Sequence, residues 1–338
     1  DFTIKNDNML GAAAVLRPTL LKLNDNFELW FKQDDQFETL KGSISLNIKS
    51  PAATNSPLDH IMSNLYCSML NNVLQEELYD AACAGLGFGV STSSKGIEVG
   101  VSGFASKLPE LLLTIVEKAK SFKVDATQFS VFMAKFKQAF GNVANSAPAQ
   151  LCGAYMGYIN MAPMWHYKLL DSELPKVTLD KLQEYVDSLF DVTFIQMLMV
   201  GNFSEDDALK TAERVQNAIK PLLNLGYPST GIRAYDFEPG YYVHQVQMPN
   251  NDSANSAVLS EIYCGPLHNI RETVLLKVLE EVVHDNFFAQ LRTKHQLGYG
   301  VSASSSSYLG GKSVLSLQVE GESNPMYVTL HINKFIDD

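Results

Sequence analysis

The stretch Leu291-Arg292-Thr293-Lys294-His295-Gln296-Leu297-Gly298-Tyr299 carries the side chains best suited to chemistry in this sequence. An arginine fork can hold peptide carbonyls, and a tyrosine hydroxyl can donate to a developing oxyanion. The bland reading is a surface arginine and a core tyrosine, and residue type alone leaves the two readings level. The stretch falls where a helical pattern gives way to a strand, so a helix end and a strand start must together position Arg292 and Tyr299.

Other chemistries fail on spacing. The seven histidines are His60, His166, His244, His268, His284, His295 and His331, and none forms H-E-x-x-H or H-x-x-E-H. Those spacings set two imidazoles on one helix face for zinc. His268 and Glu272 share a helix start, but one base and one acid do not make a metal site. Gly85-Leu86-Gly87-Phe88-Gly89 departs from G-x-G-x-x-G, and it follows a helix and opens a strand. A phosphate loop needs the reverse order, so nucleotide binding is rejected and the glycines are read as allowing close backbone approach or a bulge. The serines at 302 and 304–307 lack a G-x-S-x-G elbow and read as a hairpin. Cys67, Cys83, Cys152 and Cys264 form no C-x-x-C and are read as reduced, mostly buried thiols of a cytosolic protein.

The elements around the candidate stretch form a repeat. Leu86-Gly87-Phe88-Gly89-Val90 returns as Leu297-Gly298-Tyr299-Gly300-Val301, an offset of 211 residues, each copy between a long helix and a hairpin pattern. In the first copy Ile44, Leu46 and Ile48 alternate as a half-buried strand. Asp59 is read as the N-cap of a helix to about Asp80, and Ser93-Ser94-Lys95-Gly96 as the hairpin turn. A helix is expected over 107–122, helices over 128–140, to about 158 and over 179–190, a strand over 194–200 and a helix over 205–225. In the second copy the strand spans 257–264 and the helix 271–293, with Val274, Leu275, Val278, Leu279, Val282 and Val283 as its apolar stripe. Leu315, Leu317 and Val319 alternate against Ser316, Gln318 and Glu320, and a closing helix starts at Tyr327.

This order predicts an α+β fold: two homologous domains, each a mainly antiparallel sheet covered by helices, the second truncated. The expected divisions are a lead-in over 1–23, a first domain over 24–226, a linker over 227–240 marked by Pro228, Gly231, Pro239 and Gly240, and a second domain over 241–338. The chain of 338 residues is 46% hydrophobic and 19% charged, which argues for a packed core. A formal charge of −11 argues against a nucleic-acid surface. No apolar run approaches the roughly 20 residues of a membrane span. The start, Asp1-Phe2-Thr3-Ile4-Lys5, reads as the interior of a longer chain.

Two stretches, Leu29-Trp30-Phe31-Lys32-Gln33-Asp34-Asp35-Gln36-Phe37 and the Leu291–Tyr299 stretch, resemble signatures of the insulysin branch of the pitrilysin family. Further similarity runs through Pro57-Leu58-Asp59, Ala84-Gly85-Leu86 and Gly201-Asn202. The resemblance implies the C-terminal half of a zinc metalloendopeptidase, with four homologous domains closing as two bowl-like halves around peptide. It places zinc and its ligands in an N-terminal half outside this sequence, and no metal or catalytic residue in this chain. It casts Arg292 and Tyr299 as binding substrate backbone and supporting the transition state. The partners it implies are short unfolded peptides and the N-terminal half, with a homodimer as a further option, in the cytoplasm. His295 stands where the family carries Glu, and Gly300 where it carries a bulkier residue. A competing reading is a scaffold or partner subunit from a zinc-less homologue.

Overall fold

The structure is a computed structural model and describes residues 3–5, 17–53, 55–224, 233–250, 254–266, 270–308 and 311–338. In chain order the strands are β1 (Thr19–Asn24), β2 (Phe27–Gln33), β3 (Lys41–Lys49), β4 (Gly87–Ser93), β5 (Gly96–Phe104), β6 (Met161–Ala162), β7 (Val192–Gly201), β8 (Leu223–Asn224), β9 (Arg233–Ala234), β10 (Ser256–Pro266), β11 (Gly300–Tyr308) and β12 (Lys312–Gly321). The helices are α1 (Pro57–Glu77), α2 (Tyr79–Cys83), α3 (Leu108–Lys120), α4 (Ala126–Val143), α5 (Pro148–Asn160), α6 (Tyr167–Glu173), α7 (Leu179–Ser188), α8 (Glu205–Ile219), α9 (Ile270–Phe288) and α10 (Pro325–Asp337). The chain forms two compact units, Asp1–Lys137 with Leu169–Gly231, and Gln138–Lys168 with Ile232–Asp338. The second unit thus takes in residues 138–168, inside the continuous segment that the sequence reading gave to one domain. Pro228, Gly231, His268 and Asn269 lie outside the described residues.

In the first unit the described strands make one sheet in the order β1-β2-β7-β3-β5-β4, with β8 beside β7. Only β2–β7 and β7–β8 among these pairs are parallel. Period-two alternation sends Phe27, Leu29, Phe31, Ile44, Leu46, Ile48, Ile195, Met197 and Met199 to one face, where all are buried. Helices α1, α3 and α8 pack on the sheet. The alternate positions of the central strands include Trp30, Ser45, Asn47, Gln196 and Leu198, which with Pro18 line an open cleft. β1 and β2 had no strand assignment from sequence, although Phe27, Leu29 and Phe31 alternate with Glu28, Trp30 and Lys32.

Helix α1 begins earlier than expected. Ser56 is the N-cap, its Oγ accepting from the Asp59 N–H at 3.1 Å, with Pro57 at the first turn. Asp59 therefore sits one turn inside, where its carboxylate accepts from Ser56 Oγ at 2.8 Å. Helix α8 also stops short of Leu225. Lys220 turns left-handed at φ 41°, and Pro221 disfavours helix at the residue before it.

The second unit repeats the pattern. Its sheet runs β10-β12-β11, all antiparallel, as β3-β5-β4 does in the first. Phe287, Leu291, Leu297, Val301, Ala303, Leu317, Val319, Val328 and Ile332 make one buried cluster from α9, the sheet and α10. The expected stripe on α9 divides: Val283 packs on that cluster, whereas Val274, Leu275, Val278, Leu279 and Val282 are 44% to 60% exposed. The inward side of α9 instead uses Leu276 and Phe287. On α1 the corresponding positions include Ser63, whose Oγ lies 2.5 Å from the Tyr185 hydroxyl of α7; among its described residues the second unit has no counterpart of α7. All four cysteines are free thiols; Cys67 is buried, but Cys83 and Cys264 are exposed, against the expectation of mostly buried thiols. Cys67 is pushed up to about 12 by burial, which keeps it protonated.

Candidate functional site

After α9 the backbone widens into one π-helical turn, Ala289–Lys294, which carries Arg292. Such turns recur at functional sites. The His295 N–H donates to the Gln290 carbonyl at 2.9 Å, and the Leu297 N–H to the Leu291 carbonyl at 2.9 Å. Between them Gln296 turns left-handed at φ 52°. The first copy also turns left-handed, at Gly85 with φ 81°, but its Leu86 N–H reaches back only five residues, to the Ala81 carbonyl at 3.1 Å, and the helix before it has no π-helical turn. By the 211-residue offset of the glycine block, Gly85 falls opposite Gln296, Ala81 opposite Arg292 and Phe88 opposite Tyr299. The first copy folds with Ala and Phe at these positions.

Both side chains point outward. Arg292 is exposed, its guanidinium 5.4 Å from the centre of the Phe288 ring. It makes no hydrogen bond or ion pair among the described residues. Tyr299 is 56% exposed, just before β11, and lines an open cleft of about 540 Å³ with Asn255, Gln296, Glu322 and Ser323. Asn255 Nδ2 donates to the Tyr299 oxygen at 3.5 Å. Partial loss of solvent, then the charge and hydrogen-bonding of Glu320, hold the phenol above its ordinary value, so it stays a proton donor at neutral pH. Arg292 and Tyr299 share one junction, but no hydrogen bond joins them.

Two neighbours, Glu320 and His295, were given no role by the sequence reading. Glu320 was placed on the polar side of β12 with Ser316 and Gln318, yet it is only 8% exposed. The cause is α5, whose Ala149 carbonyl accepts from Gln318 Nε2 at 3.0 Å on that same side. Gly300 pairs directly with Glu320, and an ideal Cβ on it would meet the Glu320 Cβ at 3.2 Å. The bulkier residue expected at position 300 would therefore crowd Glu320. His295 lies 4.8 Å ring to ring from His331. Desolvation, then the charges of His331, Lys294 and Lys334, hold His295 below its ordinary value and favour its neutral form.

Among the described residues no three His, Cys, Asp or Glu are grouped to hold a metal ion. The described residues therefore offer zinc no ligand set.

Residues 1–171 match the middle or third domain of peptidase M16, and residues 176–338 match the peptidase M16 inactive domain. The chain belongs to the M16 peptidase family. Among curated M16 relatives, human insulin-degrading enzyme is 28% identical over 328 residues, covering 94% of this chain and 31% of its own length. The A-factor-processing enzyme of Saccharomyces cerevisiae is 26% identical over 339 residues, covering 98% of this chain and 32% of its own. The chain thus spans about a third of the length of these M16 relatives. The crystal structure of pitrilysin superposes with a TM-score of 0.77 at 20% identity, covering 96% of this chain and 34% of that one, which supports the fold. No helix among the described residues is long and apolar enough to cross a membrane.

Proposed function

We propose that this chain is the non-catalytic C-terminal part of a zinc metalloendopeptidase, completing the peptide-binding site with Arg292 and Tyr299. The observation that carries the reading is internal. The helix-to-strand junction occurs twice, and only the copy at 289–299 bears a guanidinium without a hydrogen-bond partner among the described residues and a protonated phenol, where the sequence offset sets Ala81 and Phe88. That difference also favours a working peptidase over a zinc-less scaffold, which has no use for either group. The two units correspond on this reading to the third and fourth of four homologous domains.

Zinc belongs to the N-terminal half on this reading, and it would supply the activated water there. The residues here bind and orient. Arg292 holds peptide carbonyls through its fork, and Tyr299 donates to the oxygen that gains charge as the scissile carbonyl is attacked. Substrates are short unfolded peptides, the compartment is cytoplasmic, and the first partner is the N-terminal half, with a homodimer second.

Steady-state kinetics of the full-length protein test the assignment. Tyr299→Phe is expected to lower kcat roughly 10- to 100-fold with KM little changed, as for an interaction made in the transition state. Arg292→Ala is expected chiefly to raise KM. An unchanged kcat for Tyr299→Phe removes the tyrosine from the mechanism.

A further inference from the structure

We propose that Asn202 and Gln33 form a clamp that fastens residues 3–5 of the lead-in to the first unit, and so fixes where the preceding half joins this chain. The proposal rests on the reading that an N-terminal half precedes the chain, and it says how that half is held. Both residues stand in stretches singled out from sequence, Leu29–Phe37 and Gly201-Asn202, and neither has a part in the Arg292–Tyr299 junction.

The sheet brings the two side chains together. β2 and β7 run parallel, and their register sets Gln33 beside Gly201. The Asp34 N–H donates to the Gly201 carbonyl at 2.9 Å, and the Asn202 N–H to the Lys41 carbonyl at 3.0 Å. Gly201 has φ 123°, and an ideal Cβ there would collide with the Gly42 backbone, so glycine is what lets the chain turn this close to β3. Asn202 is left only 6% exposed.

Three backbone groups of the lead-in are engaged. Asn202 Oδ1 accepts from the Lys5 N–H at 2.5 Å, and Asn202 Nδ2 donates to the Thr3 carbonyl at 2.9 Å. Gln33 Nε2 donates to the Lys5 carbonyl at 2.5 Å. In extended backbone these three groups point to one side, so two side-chain amides stand in for a neighbouring strand. Beyond them Lys5 Nζ pairs with Asp207 Oδ2 at 2.8 Å, in the first turn of α8. A buried carboxamide without partners is costly, so Asn202 favours the bound lead-in over a released one. Movement of the preceding half then pulls on a fixed point of the sheet, not on a loose strand.

The test uses the full-length protein with a dye on each half: the parent, Asn202→Ala, Lys5→Pro and the two together. Lys5→Pro removes the N–H from the lead-in side and leaves the sheet untouched. Each single variant is expected to broaden the distribution of distances between the halves. Asn202→Ala should also speed hydrogen exchange at Lys5 about tenfold, the loss expected for a hydrogen bond of this kind. For peptide cleavage, kcat/KM is expected to fall about three- to tenfold, because closure must then order the lead-in each time. The double variant should lose no more than Asn202→Ala alone. An unchanged distance distribution, unaltered exchange, or losses that multiply overturns the proposal. If the parent cleaves no peptide, the peptidase reading fails by itself, and the distances and the exchange still decide. Should Asn202→Ala not fold, Lys5→Pro must broaden the distances by itself, and an unbroadened distribution overturns the proposal.

Discussion

An ideal Cβ on Gly298 would stand 2.8 Å from the carbonyl carbon of Glu320 and 3.2 Å from the Val319 side chain, while one on Gly89 would meet nothing within 4 Å. The turn before Tyr299 thus lies directly on the end of β12, and glycine is what lets it. Gly298→Ala is expected to cost about 1–3 kcal/mol, as overpacking does, and Gly89→Ala well under 1 kcal/mol. Urea denaturation midpoints check the pair, and equal losses would contradict the close approach. The sequence reading gave close approach or a bulge to Gly85, Gly87 and Gly89. Gly87 fits, since its Cβ would fall 2.7 Å from Ser102 Oγ, whereas a Cβ on Gly85 or Gly89 would meet nothing within 4 Å. Glu320 was not legible. Alternation along β12 puts it among polar neighbours, and only α5, far away in sequence, turns that position inward.

At the scale of elements, α8 shows how local chemistry sets a boundary. Ser204 Oγ accepts from the Asp207 N–H at 3.2 Å, and Asp207 Oδ2 accepts from the Ser204 N–H at 2.8 Å, a reciprocal capping box. Lys5 Nζ lies 2.8 Å from the same carboxylate. Burial pushes the Asp207 carboxyl up, but hydrogen bonds from Lys5 and Ser204 outweigh it, so the group sits below its ordinary value. Its stabilisation is therefore complete above the unfolded carboxylate value of about 4 and is lost as pH falls through the lower folded value. Asp207→Ala is expected to cost about 1 kcal/mol at neutral pH, with the gap closing in acid. Melting curves in both conditions check this, and a gap that persists undiminished in acid contradicts it. The start of α8 was legible from Ser204 and the acidic turn after it; its end was overrun because Pro221 was not weighed. The α9 stripe was recognised as apolar, yet periodicity cannot say which side of a helix meets the sheet. That side was decided by the cluster around Phe287 and Leu291.

For the whole molecule, the repeat carried most of the fold. Strand, helix, hairpin and helix recur with the same antiparallel order, β3-β5-β4 and β10-β12-β11. The offset of 211 holds across the glycine block but grows beyond it, because β12 starts at Lys312 where the block alone would place its counterpart at Ser307. A longer hairpin in the second copy explains the drift, and a short motif could not reveal it. The grouping of residues 138–168 with the second unit was also hidden, since contacts between distant segments define it. The junction at 289–299 stands out at this scale, because of the two helix-to-strand junctions only this one follows a π-helical turn and carries an exposed arginine and tyrosine.

The central claim is that this chain handles peptide for a catalytic centre held elsewhere in the protein. Peptide hydrolysis should be measured for this chain alone, for the N-terminal remainder alone, and for the two mixed, with zinc content recorded for each. The expected result is zinc with the N-terminal part, full turnover only on mixing, and loss of that turnover when the added chain carries Tyr299→Phe. Zinc-dependent turnover by this chain alone, or a mixture indifferent to Arg292 and Tyr299, would contradict the account.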